Sequence, residues 1–181
     1  AYLITASCAS GEESVSPPPD RYSNLRVATF NIHYLAERSD AAVARWDHRS
    51  DAVVTVLREI DADLVAFQEM ETFQGSSFNA ENRQMDTLSS ALPDFVFAAS
   101  GDPQEYPNTQ PIWYRRARFE PREQGYFFYS PNPAELYSDP WWGRFPSYAT
   151  WVRLFDRNLG TTVLVFNLHI DRERYRNQVR S

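Results

Sequence analysis

Short apolar runs recur along this chain and predict its buried strands. Three of them, at residues 27–30, 64–67 and 162–166, are rich in β-branched and aromatic side chains, which is typical of strands inside an α/β sheet. Between the first two runs, apolar side chains recur at helical spacing over about residues 40–60. A strand, a helix and a second strand in this order predict parallel neighbouring strands joined by a right-handed crossover.

The rest of the pattern extends this arrangement of strands and helices. A helix is predicted over residues 82–92, and a turn at residues 156–160 predicts a hairpin between strands at 150–155 and 161–168. The other predicted elements are strands at 95–99, 111–114 and 125–129, loops at 73–79 and 130–147, and a helix at 172–180. The predicted fold class is therefore α/β or α+β, with two β-sheets packed face to face under helices.

Polar side chains follow each of the three apolar runs. Asn31 follows the first run and Glu69 follows the second. Asn167, His169 and Asp171 follow the third, and the strand period of two places all three on one face. Side chains that emerge at strand ends form the ligand sites of α/β sheets. The pattern predicts a site for a metal ion and a phosphate, the alternative being strand ends that reach solvent.

Three further polar residues lie close to these positions in the sequence. His33 shares a predicted strand face with Asn31, and we interpret it as an exposed or hydrogen-bonded residue at a strand end. Asn108 and Gln110 precede the strand predicted at residues 111–114 and are candidates to face the site.

Five segments, taken in their order along the chain, carry a resemblance to a known family. They are Arg26-Val-Ala-Thr-Phe-Asn31-Ile, Asp63-Leu-Val-Ala-Phe-Gln-Glu69, Pro111-Ile-Trp-Tyr-Arg115, Tyr148-Ala-Thr-Trp-Val-Arg-Leu154 and Phe166-Asn-Leu-His-Ile-Asp171. Together they resemble the motifs of the endonuclease/exonuclease/phosphatase superfamily, which shares its fold with pancreatic deoxyribonuclease. The Trp46-Asp-His-Arg49 segment also resembles a pattern of many bacterial members. The resemblance implies a four-layer α/β/β/α sandwich.

The resemblance also implies a role for each polar residue at the strand ends. Glu69 matches the family's Mg²⁺-binding glutamate, and Asn31 matches the asparagine that helps to organise the metal and the phosphate. His169 matches the histidine that contacts the scissile phosphate. Asn167 and Asp171 belong to the same motif and are expected to support the geometry of His169. The implied cofactor is Mg²⁺, with Mn²⁺ or Ca²⁺ as alternatives.

The implied activity is metal-dependent hydrolysis of phosphate esters, either monoesters or diesters. The family's later Gly-Asp-x-Asn motif and its terminal Asp-His pair do not occur before Ser181. Residues 25–181 are therefore predicted to be the N-terminal major part of the domain, incomplete at its C-terminus and inactive as this fragment alone. The alternative is a catalytically incomplete binding module with the same fold. Leu168 replaces a small or hydroxylated residue of the family motif and is expected on the buried face of its strand.

Composition narrows the choice of partner only slightly. The net charge of −6 weakens the general attraction to nucleic acid, although a bound divalent cation would supply local positive charge. The predicted partner is a phosphorylated substrate, which could be a nucleic acid, a phospholipid head group or a small phosphate. Clustered arginines could guide such anions, but interleaved glutamates favour a solvated face. These arginines are Arg115, Arg116, Arg118 and Arg122.

Residues 1–24 are predicted to be a disordered tail, composed of the remnant of an export signal and a linker. Cys8, the single cysteine, ends an apolar stretch that closes with Ala6 and Ser7. This resembles the end of a bacterial lipoprotein signal, the alternative being a tail with an incidental thiol. We therefore expect an extracytoplasmic protein, secreted or anchored to the envelope through Cys8, and a monomer.

Overall fold

The computed structural model describes residues 3–6, 24–36, 39–70, 73–74, 77–78, 82–141 and 146–170. Its first elements in chain order are β1 (Leu3–Ala6), β2 (Leu25–Asn31), a 3₁₀ turn (Ala42–Ala44), α1 (Trp46–Ile60), β3 (Leu64–Gln68), β4 (Phe73–Gln74), β5 (Ser77–Phe78) and α2 (Arg83–Ala91). They are followed by β6 (Phe95–Ala98), β7 (Ile112–Arg115), β8 (Phe119–Phe128), β9 (Tyr148–Asp156) and β10 (Thr161–Leu168).

A five-stranded sheet in the order β1-β2-β3-β7-β6 forms one layer of the structure. β2 and β3 run parallel, with Asn31 level with Gln68 at their ends, which confirms the predicted parallel pairing of two strands joined through α1. All other neighbours in this sheet are antiparallel. The C-terminal ends of β2 and β3 therefore lie side by side at the same end of the sheet.

The strands β8, β9 and β10 form a second, antiparallel sheet with β9 in the centre. β8 is longer than the strand predicted at residues 125–129, because it continues through Pro121 and Arg122. The pairing register shifts between Pro121 and Glu123. A proline without a backbone N–H is tolerated here because β8 lies at the edge of the sheet, where no ladder bond is required on the outer side.

Successive side chains of each strand point to opposite faces of the five-stranded sheet, so the hydrophobic core consists of two clusters, one on each face. Ala28, Val65 and Trp113 face the helices, and Val54 of α1 and Leu88 of α2 pack in the same cluster. The alternate side chains of the five-stranded sheet face the second sheet. They are Leu64, Ile112 and Tyr114, packed with Phe119, Val152 and Leu154. Two packed sheets flanked by helices confirm the predicted fold class.

A buried ion network joins the two sheets at the end away from Asn31. Arg118 donates through Nε to both carboxylate oxygens of Asp156, at 3.1 and 3.0 Å, and through Nη2 to Oδ2 at 2.8 Å. Its Nη1 donates to Asp63 Oδ2, also at 2.8 Å. Asp63 directly precedes β3, and Asp156 ends β9. The interpretation of Arg118 as part of a solvated face is therefore wrong, because this arginine and Asp156 are buried.

Two local predictions are corrected by the backbone. The predicted loop at residues 73–79 contains the two-residue strands β4 and β5, which pair with each other. Residues 3–6 of the predicted tail form β1, because this β-prone segment pairs antiparallel with the free edge of β2.

Cys8 and the helix predicted at residues 172–180 lie outside the described residues. Neither described helix is both long and apolar enough to span a membrane.

Candidate active site

The structure brings together three of the side chains predicted at the strand ends. Asn31 Nδ2 donates to Glu69 Oε1 at 2.9 Å, and His169 Nε2 lies 3.5 Å from the same oxygen. Asn31 ends β2, Glu69 follows β3, and His169 follows β10. Both sheets therefore contribute to one polar cluster, centred on the Glu69 carboxylate.

A left-handed backbone conformation at Glu69 makes this meeting possible. In a regular strand, Glu69 would continue the face of Val65 and Phe67, which points toward the helices. Asn31 instead continues the face of Val27, which points toward the second sheet. Glu69 has φ 59°, a conformation that non-glycine residues adopt uncommonly. The turn after β3 thus redirects the carboxylate toward the amide of Asn31.

His33 joins the same cluster from the other side of the carboxylate. Its Nδ1 lies 3.3 Å from Glu69 Oε2, and its backbone N–H donates to Asn31 Oδ1 at 3.0 Å. We interpret His33 from the sequence as exposed or hydrogen-bonded at a strand end, and the structure shows that it is both. Sequence pattern does not identify Glu69 as the bonding partner, because the contact depends on the backbone turns after β2 and β3.

The turn that carries His33 is fixed by side chains of both helices. Arg49 of α1 donates to the carbonyl oxygens of Ile32, His33 and Tyr34, the contact with His33 being 2.7 Å long. Gln84 of α2 donates to the same His33 oxygen at 2.8 Å. Burial lowers the pKa of the Arg49 guanidinium. Arg49 belongs to the Trp46–Arg49 segment that resembles a family pattern, and this contact supplies a structural reason for that arginine.

Asn167 lies beneath the site rather than in it. Its side chain is 1% exposed, and its Oδ1 accepts from Gln68 Nε2 at 2.7 Å. Its Nδ2 donates to the carbonyl oxygens of Phe67 and Gln110, at 2.6 and 3.0 Å. Asn167 therefore ties the end of β10 to the ends of β3 and β7. This placement suits the supporting role expected for it.

The remaining candidate site residues are Asn108, Gln110 and Asp171. Asp171 lies outside the described residues. Asn108 does not face the site, since its amide accepts from Gly101 N at 2.8 Å and donates to Gly101 O at 2.7 Å, closing its own loop. Gln110 is buried, and its Oε1 has no hydrogen-bond partner in the described part of the chain.

The position predicted for Leu168 is wrong. Val163 and Val165 pack against the first sheet, so the alternate side chains of β10 point away from it. These exposed side chains are Leu164, Phe166, Leu168 and, after the strand, Ile170. The apolar run predicted to be wholly buried therefore has one buried and one exposed face.

The turn after Glu69 is held from below by a buried tyrosine. Met70 N donates to Thr109 O at 3.0 Å, and Thr109 N donates to the hydroxyl of Tyr148 at 3.0 Å. The Thr109 and Tyr148 hydroxyls are also hydrogen-bonded to each other. This hydroxyl anchors the turn as an uncharged group, and burial raises the pKa of Tyr148 well above its ordinary value.

The donor set at Glu69 can be tested for its fit to a metal ion. Among the described residues, no group of three His, Cys, Asp or Glu side chains could hold one. The groups around Glu69 offer one carboxylate, which is a hard donor, while Asn31 presents its Nδ2 to that carboxylate and its Oδ1 to the His33 N–H. Mg²⁺ is commonly held by one or two carboxylates and keeps several waters. Glu69 therefore fits part of such a site, with Asn31 orienting its carboxylate and water or substrate as the remaining ligands.

Comparison with known proteins identifies the family of this chain. The model of a family described as the Endonuclease/Exonuclease/phosphatase family matches residues 28–179. The match extends over most of the sequence, so the chain belongs to this family. No curated protein matches the chain.

Solved structures show the same fold. An endonuclease/exonuclease/phosphatase from Bacteroides vulgatus is 24% identical with a TM-score of 0.67, over 81% of this chain and 52% of that one. A mannosyl-6-phosphatase from Bacteroides thetaiotaomicron is 21% identical with a TM-score of 0.66, over 86% and 58%. TDP2 from D. rerio, complexed with a single-strand DNA product, is 13% identical with a TM-score of 0.52, over 86% and 52%. The chain thus spans about half the length of the structures it resembles.

Proposed function

We propose that this chain supplies the metal- and phosphate-binding part of a Mg²⁺-dependent hydrolase of phosphate esters. The observation that carries the proposal is the convergence of Asn31, Glu69 and His169 from three strand ends and two sheets. Family membership and a neighbour that is a phosphatase support the same reaction class.

Each residue of the cluster has a distinct task in this proposal. Glu69 provides the anionic oxygen that holds the cation, and Asn31 fixes the carboxylate through its 2.9 Å hydrogen bond. His169 contacts the phosphoryl group and stabilises the charge that develops on it. When bound, Mg²⁺ would neutralise phosphoryl charge and lower the pKa of a bound water. Mn²⁺ and Ca²⁺ are the alternative cations.

The chain alone is proposed to bind without turning over its substrate. Hydrolysis needs a group that positions or deprotonates the attacking water. The groups described beside Glu69 include no second carboxylate for this task, and His169 is assigned to the phosphoryl group. The lack of a second carboxylate among these described groups favours the second candidate function, a binding module that keeps the fold and recognises phosphorylated ligands without hydrolysing them.

A binding experiment on the 181-residue chain tests the site itself. We expect Mg²⁺ and inorganic phosphate to bind together by calorimetry, and Glu69→Gln to abolish Mg²⁺ binding because it removes the anionic charge but keeps the side-chain shape. Glu123→Gln is the matched control, since Glu123 is exposed and pairs with Arg153 at 3.2 Å. Equal Mg²⁺ affinity in Glu69→Gln and wild type would contradict the metal assignment.

An activity experiment on the complete gene product separates the two candidate functions. Hydrolysis of p-nitrophenyl phosphate or its bis ester is expected to need Mg²⁺ and to fall about 10²–10³-fold in His169→Ala. Binding without hydrolysis by the complete product would favour the binding module.

Export and lipidation of Cys8 stay predictions, which the mass of the mature protein isolated from its own host would test.

A further inference from the structure

Two ring side chains project outward from the turn that follows β2. His33 and Tyr34 are exposed, whereas Ile32 before them and Leu35 after them are 1% and 5% exposed. The centroids of the two exposed rings lie 6.2 Å apart, and the rings are tilted by 54°. The buried pair therefore anchors the turn in the core, and the exposed pair forms its outer face.

Helix α1 holds this turn in one conformation. Arg49 donates to the carbonyl oxygens of three successive residues, Tyr34 among them, and Trp46 N donates to Leu35 O at 2.9 Å. The backbone is left-handed at Ala36, with φ 53°, a conformation that persists in such residues where the surroundings enforce it and that clusters at functional sites. A ring on a backbone fixed in this way loses little conformational freedom when it binds a ligand.

The outer face of the turn adjoins the candidate active site. His33 Nδ1 lies 3.3 Å from Glu69 Oε2, and the ring of Tyr34 is the neighbour of the His33 ring. A phosphate ester bound at Glu69 and His169 therefore has the exposed ring of Tyr34 close to its alcohol part. Tyrosine offers such a ligand a large and rigid π face.

We propose that Tyr34 determines specificity by stacking on a flat aromatic ring in the alcohol part of the substrate, such as a nucleobase or an aryl group. The inference rests on the proposed function, because it takes the phosphate to lie at Glu69 and His169. Stacking needs a π face but no particular pattern of hydrogen-bond donors, so different aromatic rings are accepted. Saturated alcohols lack this face, and their phosphate esters bind less tightly.

Two ligands of equal charge and similar size test the stacking. Phenyl phosphate has a flat ring, and cyclohexyl phosphate has a saturated ring with the same number of carbon atoms. Calorimetry on the 181-residue chain with Mg²⁺ is expected to show about 10-fold tighter binding of phenyl phosphate, the usual effect of one stacked ring. In NMR spectra the ring protons of bound phenyl phosphate should shift upfield, because they lie over the Tyr34 ring.

A second pair of ligands distinguishes the two sources of an aromatic ring. Adenosine 5′-monophosphate and ribose 5-phosphate share the phosphorylated sugar and differ in the nucleobase. A preference for the nucleotide identifies nucleobases as ligands of Tyr34. A preference confined to phenyl phosphate identifies aryl esters instead, and both results support the stacking contact.

Three variants separate the Tyr34 ring from other effects. Tyr34→Leu keeps an apolar side chain but removes the ring, so the two affinities should become nearly equal while inorganic phosphate binds as in wild type. Tyr34→Phe keeps the ring and should retain the preference. Phe166→Leu is the matched control, because Phe166 is 49% exposed and lies on the face of β10 that points away from the first sheet.

The outcomes also separate this inference from the proposed function. Survival of the preference in Tyr34→Leu, or its loss in Tyr34→Phe, would overturn the inference while the proposed function stands. Equal affinities of wild type for the two ring compounds, with inorganic phosphate bound, would do the same. If neither inorganic phosphate nor any ester binds in the presence of Mg²⁺, the inference and the proposed function fail together.

Discussion

Gln68 and Asn167 form a direct hydrogen bond between the two sheets, with Gln68 Nε2 donating to Asn167 Oδ1 at 2.7 Å. Gln68 Nε2 also lies 3.1 Å from both Thr29 Oγ1 and Ala66 O, which share its second proton. Gln68 directly precedes Glu69 in the sequence, and Asn167 lies two residues before His169. The position of His169 relative to Glu69 is therefore set by a buried polar contact rather than by apolar packing alone.

Asn167→Leu should destabilise the fold and disturb the site together. The substitution leaves the Phe67 and Gln110 carbonyl oxygens without their buried donor, which costs about 1–3 kcal/mol for each such group. We expect a loss of about 3 kcal/mol in urea unfolding and weaker phosphate binding. Asn158→Ala, in the exposed hairpin turn, should change stability by less than about 0.5 kcal/mol. Equal stabilities of the two variants would rule out the role assigned to Asn167.

Arg49→Lys should loosen the turn that carries His33 while leaving α1 folded. The guanidinium reaches carbonyl oxygens of Ile32, His33 and Tyr34 and donates through Nε to Ala44 O at 2.9 Å. An ammonium group lacks the planar fork needed to serve them all. We expect faster amide hydrogen exchange at residues 32–35 and about 10-fold weaker phosphate binding, because His33 contacts both Asn31 and Glu69 and helps to hold the carboxylate in place. The matched control is Arg58→Lys, because Arg58 bonds one carbonyl, that of Ala91.

A purely structural role for Arg49 gives a different result. Exchange would then increase throughout α1 and the five-stranded sheet, and the loss of phosphate affinity would follow the loss of global stability. Local exchange at the turn, with the unfolding midpoint close to that of Arg58→Lys, is the pattern expected if Arg49 positions His33.

Arg118→Met should be among the most destabilising single substitutions in this chain. Asp156 is fully buried and takes most of its hydrogen bonds from Arg118, so removing the arginine leaves an uncompensated buried charge. Such losses are about 3–5 kcal/mol. Arg122→Met is the control, because Arg122 is half-exposed and pairs with Glu120 at the surface, where ion pairs contribute about 0–1 kcal/mol. Comparable urea midpoints for the two variants would contradict the network.

The sequence predicted most of the strands, and for a physical reason. Buried parallel strands read as short apolar runs, and parallel neighbours place their ends at the same edge of the sheet. This is why Asn31 and Glu69 could be expected near each other before the structure was known. The hairpin of β9 and β10 was readable in the same way, since its turn residues at 156–160 interrupt two β-prone runs.

Three features of the structure could not be predicted from the local pattern of apolar and polar residues. The carboxylate of Glu69 reaches Asn31 only because of a left-handed turn, and neither residue is a glycine that would signal one. Phe166 and Leu168 have the composition of buried residues but lie exposed, because strand periodicity does not say which faces are covered. Arg118 is buried although arginine is usually exposed, and its partners are distant in sequence. All three depend on tertiary contacts.

Alkaline pH should destabilise the protein through Tyr148. Burial raises the pKa of this hydroxyl above its ordinary value near 10, so above pH 10 the unfolded chain releases a proton that the folded chain keeps. Stability should therefore be independent of Tyr148 below about pH 9 and fall above pH 10, by up to about 1.4 kcal/mol per pH unit. Tyr148→Phe should begin about 1 kcal/mol less stable, having lost its hydrogen bonds with Thr109, yet show a flatter decline. Urea unfolding from pH 7 to 11 measures both slopes, and parallel slopes would show that Tyr148 ionises as readily in the folded protein as in the unfolded one.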